Sequence, residues 1–149
     1  MRNRVFLYIT QGEKLLVLDY LDHSYLEPQV PGGTIEPGES PEEAALREAR
    51  EETGMVGLKV VSLLGASDQD LRAIGRDETI KAWFFHLVAE DSTPARWRHT
   101  EHEPHEGSAP VPFELYWVPM DAVPTLGGLD NEMLPKLAQS VANHNRRAI

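Results

Sequence analysis

The segment REAREETG, residues 47–54, most constrains what this chain can fold into. It places Glu48, Glu51 and Glu52 within about one and a half turns at the C-terminal end of a predicted helix, where the helix dipole opposes negative charge. Glu48 lies three residues before Glu51 and four residues before Glu52, and each of these like-charge pairs reduces helix stability by about 0.2 to 0.5 kcal/mol. Clustered violations of local rules are typical of functional sites, although alternating basic and acidic residues also fit an ordinary charged surface helix.

The helix around this segment has clear start and stop signals. Ser40 is a predicted N-cap, Pro41 suits the first helical position, and Glu43 completes a capping box. Gly54 is a natural C-terminal stop. We therefore predict a helix over residues 40–53. At 100° per residue, Glu52 falls beside the small residues expected to pack on a sheet, so it should border the core.

Short runs of branched and aromatic residues predict the strands of that sheet. They are Val5–Thr10, Leu15–Tyr20, Gly57–Gly65, Thr79–Ala89 and Phe113–Met120. Apolar residues at helical spacing between Met133 and Val141 predict a closing helix that starts or kinks at Pro135. The segment 90–112 is predicted to be a polar loop. The chain is thus predicted to be a single α+β domain, residues 1–149, with a sheet flanked by helices.

Composition narrows the class of function. The 149 residues include 24 acidic and 14 basic ones, and the net charge of -10 disfavours binding to duplex nucleic acid or an anionic membrane. Cysteine is absent from the sequence, which excludes disulfides and thiolate nucleophiles and favours the cytoplasm. The first apolar run, Val5–Ile9, is too short for a signal peptide, and we expect no membrane span.

A glycine-rich loop, PGGTIEPGES, precedes the acidic helix. Gly32 and Gly33 have no side chain, so the backbone can adopt positive φ there and approach a ligand or metal through its own groups, with an ordinary glycine turn as the alternative. Pro37-Gly38 predicts a tight turn that returns Glu39 to the helix start. The oxygen donors of the acidic helix suit a hard cation such as Mg²⁺ or Mn²⁺.

Together, the loop and the helix resemble the Nudix box. That pattern is glycine, five residues, glutamate, seven residues, then R-E-hydrophobic-x-E-E-x-G-hydrophobic. The matching residues are Gly33, Glu39, Arg47, Glu48, Glu51, Glu52 and Gly54. The hydrophobic positions hold Ala49, which is smaller than usual, and Met55. The resemblance implies a Nudix-type α/β/α sandwich with a mixed central sheet.

The resemblance also implies a metal-dependent pyrophosphohydrolase, in which water attacks phosphorus in a nucleoside diphosphate linked to another moiety. Mg²⁺ would be the cofactor, with Mn²⁺ an alternative, and a nucleotide or nucleotide derivative the partner. A catalytically silent nucleotide sensor with the same fold is the second hypothesis. A monomer and a homodimer are both compatible with the sequence. The first proline and tyrosine after the box, Pro94 and Tyr116, lie too far along to match two known substrate signatures of the family.

The resemblance assigns roles within the box. The metal ligands would be the Gly33 carbonyl, Glu48, Glu51 and Glu52. The catalytic set would be Glu48, Glu52, Arg47 and Glu39, with Glu48 or Glu52 as general base. Arg47 would orient a carboxylate, and Glu39 would support the metal ligands or that arginine. Gly32 and Gly33 would bind substrate.

A later segment, RWRHTEHEPHEG, alternates histidines with glutamates. Pro104 interrupts any helix that would align its histidines, so a solvated loop is the first interpretation and a dedicated zinc site is disfavoured. A loop that supplies a substrate contact or a general base is the second interpretation, with Glu103 or Glu106 as an additional carboxylate. The strand aromatics are predicted to be packing residues, one of which could stack on a base. They are Trp83, Phe84, Phe85, Tyr116 and Trp117.

Overall fold

A computed structural model describes residues 1–101 and 107–147, which form a seven-stranded mixed sheet with one α-helix on each face. The strands are β1 (Arg2–Gln11), β2 (Lys14–Tyr20), β3 (Gly32–Thr34), β4 (Leu58–Asp70), β5 (Thr79–Ala89), β6 (Arg96–Glu101) and β7 (Val111–Pro119). The helices are α1 (Pro41–Thr53) and α2 (Leu134–Arg147). The strand order is β4-β5-β1-β2-β7-β6, and β3 also pairs with β1. The predicted α+β sandwich is confirmed.

Two apolar cores lie on opposite faces of the sheet because successive strand residues point to opposite sides. Val5, Leu7 and Ile9 of β1 pack in the core covered by α1, whereas Phe6 and Tyr8 pack in the core covered by α2. Helix α1 contributes three fully buried alanines to its core. These small side chains let its backbone lie close to the sheet, which brings the acidic face of the helix to the edge of the core.

Helix α1 begins and ends as its sequence predicts. The Ser40 hydroxyl accepts a hydrogen bond from the Glu43 N–H at 3.1 Å, and the Glu43 carboxylate accepts one from the Ser40 N–H at 3.0 Å. Gly54 ends the helix in the left-handed region, with φ of 77°. Pro135 lies in the first turn of α2, so it marks the start of that helix and not a kink.

Some local predictions are wrong near the site. Residues 96–101, predicted as loop, form edge strand β6 and pair with β7. Residues 32–34 form β3 and pair with β1. Gly32 and Gly33 accordingly lie in a strand and are not among the glycines with positive φ, whereas Gly38, with φ of 81°, confirms the predicted turn. Within 1–101 and 107–147, no helix is both long and apolar enough to cross a bilayer.

Candidate active site

The structure brings the predicted glycines and glutamates together in one cavity of about 680 Å³. Its walls include β1, β3 and the C-terminal half of α1, together with residues of β2, β6 and β7. The box residues that line it are Gly32, Gly33, Arg47, Glu48, Glu51 and Glu52. A second cavity of about 360 Å³ lies between β4 and α2, and none of the described residues that line it is a carboxylate. The first cavity is therefore the candidate active site.

Close packing explains the two glycines of β3. A Cβ atom on Gly33 would overlap the carboxylate of Glu48. A Cβ atom on Gly32 would lie 2.6 Å from the carbonyl oxygen of Val5, and the Gly32 N–H donates to Glu52 Oε1 at 3.1 Å. The absence of a side chain thus lets β3 contact both acidic residues, although neither glycine needs positive φ.

Arg47 connects the carboxylates to one another and to β3. Its Nε and Nη2 donate to the two oxygens of Glu39 at 2.7 and 2.9 Å. Its Nη1 donates to Glu48 Oε1 at 2.9 Å and to Glu51 Oε2 at 3.3 Å. Its Nη2 also donates to the Thr34 carbonyl at 3.0 Å. The hydrogen bond from Arg47 lowers the pKa of Glu39, so this carboxylate stays ionised and holds the guanidinium in place.

Glu48 and Glu52 are carboxylic acids in a nearly closed environment, with exposures of 8% and 4%. Burial raises the pKa of Glu48 to about 7, and the nearby Arg47 only partly offsets this effect. Burial, followed by the charges of Glu101 and Glu48, raises the pKa of Glu52 well above its usual range. Such a cluster favours either a proton or a bound cation, which is typical of a functional site.

Glu101, the last residue of β6, completes a group that sequence reasoning did not identify. One oxygen each from Glu48, Glu51 and Glu101 lie within 4.8 Å of one another. Burial, followed by the charge of Glu51, raises the pKa of Glu101. Three oxygen donors without nitrogen or sulfur suit Mg²⁺ or Mn²⁺. This group contains Glu101, which is not among the predicted ligands, and it does not contain Glu52, which is among them.

Strand β6 is held against α1 by two aromatic side chains. Trp97 Nε1 donates to the Thr53 carbonyl at 3.1 Å, and His99 Nε2 lies at hydrogen-bonding distance, 2.9 Å, from the Glu51 carbonyl. Both carbonyls lie in the last turn of the helix, where acceptors lack intrahelical donors. Residues 97, 99 and 101 alternate along β6 and therefore share one face. This alternation is the sequence signal that could have identified Glu101.

The remaining candidates of the histidine segment divide into two groups. His99 lies on β6, in contact with α1. Glu103 and Glu106, with His102 and His105, lie outside the described residues, so their predicted roles stay predictions.

The strand aromatics lie mainly in the body of the fold. Phe84 and Phe85 are buried in the two cores. The other three direct a ring N–H or hydroxyl to a polar partner: Trp83 to Asn3, Tyr116 to Asp19 and Trp117 to Thr93. The aromatic residues that line the cavity are Tyr20 and Phe113, whose rings meet edge to face with centroids 5.2 Å apart. Sequence reasoning did not single out this pair.

Comparison with known proteins adds a family and a fold. The family model described as NUDIX domain matches residues 1–138. A relative from Bacillus subtilis (strain 168), named "Putative 8-oxo-dGTP diphosphatase YtkD", is 39% identical over 69 residues. That alignment covers 46% of this chain and 39% of the relative, so the chain matches well under half of that protein's length.

Solved structures share the architecture at low sequence identity. The MutT NUDIX hydrolase from Burkholderia pseudomallei superposes with a TM-score of 0.68 at 21% identity, covering 91% of this chain and 97% of that one. A UDP-X diphosphatase superposes with a TM-score of 0.67 at 23% identity, covering 96% of this chain and 64% of that one. Likeness at this level of identity concerns the fold.

Proposed function

The chain belongs to the Nudix family, and from this premise we propose that it is a metal-dependent pyrophosphohydrolase. It would hydrolyse the phosphoric anhydride bond of a nucleoside diphosphate linked to another moiety, through attack of water on phosphorus. The observation that carries this proposal is the convergence of carboxylate oxygens from Glu48, Glu51 and Glu101 within 4.8 Å, next to the buried Glu52.

The oxygen-only donor group fits a hard divalent cation, Mg²⁺ or Mn²⁺. When bound, such a cation supplies charge neutralisation at the pyrophosphate and lowers the pKa of a water molecule. Glu48, Glu51 and Glu101 would hold it, and the Gly33 carbonyl is the further ligand that the family resemblance implies. Arg47 holds Glu48 through a hydrogen bond, and Glu39 in turn holds Arg47. We therefore assign positioning roles to Arg47 and Glu39.

Glu52 is our assignment for the general base. It lies outside the three-residue group, it accepts a hydrogen bond from the Gly32 N–H, and burial, followed by the charges of Glu101 and Glu48, raises its pKa and so strengthens it as a base. Glu48, with a pKa of about 7, has the same capacity but is already engaged by Arg47. The base should therefore be the carboxylate that faces the cavity without a guanidinium partner.

A phosphate-release screen tests the proposal with nucleoside triphosphates, nucleotide sugars and dinucleotides, each with Mg²⁺ or with EDTA. We expect metal-dependent release from at least one compound and a loss of about 10²- to 10⁴-fold in kcat for Glu52→Gln. Glu132→Gln, which changes an exposed carboxylate away from the cavity, is the matched control. Turnover that survives both EDTA and Glu52→Gln would refute the mechanism.

Binding of a nucleotide without turnover of any compound would instead support the sensor hypothesis. The names of the relatives, 8-oxo-dGTP diphosphatase and UDP-X diphosphatase, place modified nucleoside triphosphates and UDP derivatives first in the screen. A cytoplasmic location, a single domain, a monomeric or dimeric state and the lack of duplex nucleic acid binding stay predictions from the sequence.

A further inference from the structure

We propose that Arg2, Arg4 and Arg76 form an anion subsite in the same cavity, which binds a phosphate group of the substrate beyond the two joined by the cleaved bond. This inference rests on the proposed function, because it names the class of substrate that the site would take: nucleotides with a third phosphate or an equivalent anionic group.

The three arginines converge on the cavity from two parts of the chain. Arg2 and Arg4 are two residues apart on β1 and therefore lie on the same side of the strand. Arg76 follows a 3-10 turn, Leu71–Ile74, in the connection from β4 to β5. All three line the cavity together with the carboxylates. Burial, followed by the charge of Arg2 and, more weakly, that of Arg76, lowers the pKa of Arg4, and the charge of Glu52 only partly offsets these effects. Arg4 is therefore close enough to both arginines to be repelled by them.

Contacts within the protein do not account for this cluster. Arg2 forms an ion pair with Glu78 at 2.6 Å, yet its Nε and the Nε of Arg4 are buried without a hydrogen-bond acceptor. Across residues 1–101 and 107–147, neither Arg4 nor Arg76 forms an ion pair or a side-chain hydrogen bond. Arg4 lies over the ring of Phe6 at 5.7 Å, a contact that leaves its Nε without an acceptor.

Unsatisfied buried donors are unfavourable, and the cost is larger for charged groups. Repulsion of Arg4 by Arg2 and by Arg76 adds to it. An anion in the cavity would offset this repulsion. In a chain with a net charge of -10, three arginines that line one cavity together with a carboxylate cluster are a specific arrangement and not a general property of the surface.

The chemistry of the side chains selects phosphate as the anion. A guanidinium presents N–H donors in a planar fork that matches two phosphate oxygens, and its charge persists at neutral pH. The cavity thus has an acidic part, suited to cation-bound phosphates, and a basic part, suited to phosphate without a cation. A pyrophosphate bond with uncharged groups on both sides would fill only the acidic part.

Two non-hydrolysable probes test the subsite independently of turnover: imidodiphosphate and diimidotriphosphate, titrated by calorimetry in excess Mg²⁺. We expect the unmodified protein to bind the triphosphate probe at least about tenfold more tightly, or about 1.4 kcal/mol. Arg4→Gln and Arg76→Gln should each reduce this preference to less than about threefold. Arg72→Gln is the matched control, because Arg72 is exposed, pairs with Asp70 at 2.6 Å and does not line the cavity.

Equal affinity for the two probes in the unmodified protein would overturn the subsite, as would a preference that persists in both variants. Arg76 is exposed, so Arg76→Gln keeps the test decisive if Arg4→Gln unfolds. A protein with the preference but no hydrolytic activity would refute the proposed function and leave the anion subsite intact. Hydrolysis without the preference would support the proposed function and overturn the anion subsite.

Discussion

The carboxylate of Glu48 occupies the space that a Cβ atom on residue 33 would fill. The backbone of β3 and the Glu48 side chain of α1 are therefore in direct contact, and no side chain at position 33 would fit between them. This contact fixes the distance between the glycine loop and the carboxylate group.

Gly33→Ala should displace Glu48 and break its hydrogen bond with Arg47. We expect kcat/KM to fall at least about 100-fold, on the scale seen when a reacting group is misplaced by about 1 Å, and Mg²⁺ affinity to fall in a calorimetric titration. Gly127→Ala is the control, since its Cβ would meet no atom closer than 3.5 Å. Wild-type activity in Gly33→Ala would show that the position of Glu48 is not critical.

Arg47→Lys tests whether the planar geometry of the guanidinium matters beyond its positive charge. Lysine keeps the positive charge but cannot form the two-point contact with Glu39 and reach Glu48 and Thr34 at the same time. We expect the free energy of unfolding to fall by about 1 to 3 kcal/mol and kcat to fall at least about tenfold with KM little changed. Arg50→Lys, at an exposed position of the same helix, should alter neither quantity. Unchanged kcat in Arg47→Lys would remove Arg47 from its positioning role.

The metal-free protein should become less stable as the pH rises from 6.5 to 8.5. A carboxyl group whose pKa is higher in the folded state than in the unfolded state favours the folded state while protonated, and this advantage is lost as the pH passes its folded pKa. Burial raises the pKa values of Glu48 and Asp130 to about 7, and it also raises the pKa of Glu52 well above its usual range. Burial lowers the pKa of His86 to about 4, so this histidine makes the folded protein more stable as the pH rises. This effect is confined to pH values below its unfolded pKa of about 6.5.

We expect the free energy of unfolding in EDTA to fall by about 2 kcal/mol or more over this range, from chemical denaturation at each pH. Saturating Mg²⁺ should remove the share of Glu48, a proposed ligand, and reduce that of Glu52, whose pKa a nearby cation would lower. Asp130→Asn serves as the control, because Asp130 does not line the cavity and its share should be insensitive to Mg²⁺. A slope of the same size in EDTA and in Mg²⁺ would contradict cation binding at these carboxylates.

Glu101→Gln should weaken cation binding without unfolding the protein. It removes one of three converging charges at the half-buried end of an edge strand. We expect the Kd for Mg²⁺ to rise about tenfold or more, which corresponds to about 1.4 kcal/mol, while the melting temperature in EDTA stays the same or increases. Glu90→Gln, at an exposed carboxylate outside the cavity, is the comparison variant. Equal Mg²⁺ affinity in the two variants would exclude Glu101 as a ligand.

Sequence reasoning predicts the elements whose local signals and tertiary environment agree. Helix α1 has a capping box, a proline at its first position and a glycine stop, and it forms within one residue of the prediction. Strand β5, Thr79–Ala89, matches its predicted bounds because apolar and branched residues fill its whole length. Glu48, Glu51 and Glu52 can be identified from the sequence because one helix fixes their spacing.

The missed features depend on pairing between distant segments. Two of the three residues of strand β3, Gly32 and Gly33, have little strand propensity, and the strand exists because β1 offers it hydrogen-bond partners. Strand β6 is rich in charged residues and is fixed by β7 on one side and by contacts with α1. Since Glu101 reaches the site only through β6, its role could not be inferred without that strand.

The contact between His99 and the carbonyl of Glu51 joins residues 48 positions apart. Strand β6 lies at the edge of the sheet and pairs with β7, so we expect it to dock on α1 after the main folding barrier has been crossed. A cation that binds the completed carboxylate group would then stabilise the native state without stabilising the transition state. In stopped-flow experiments, Mg²⁺ should slow unfolding and leave the refolding rate unchanged, so that the ion prolongs the lifetime of the folded protein without accelerating its formation.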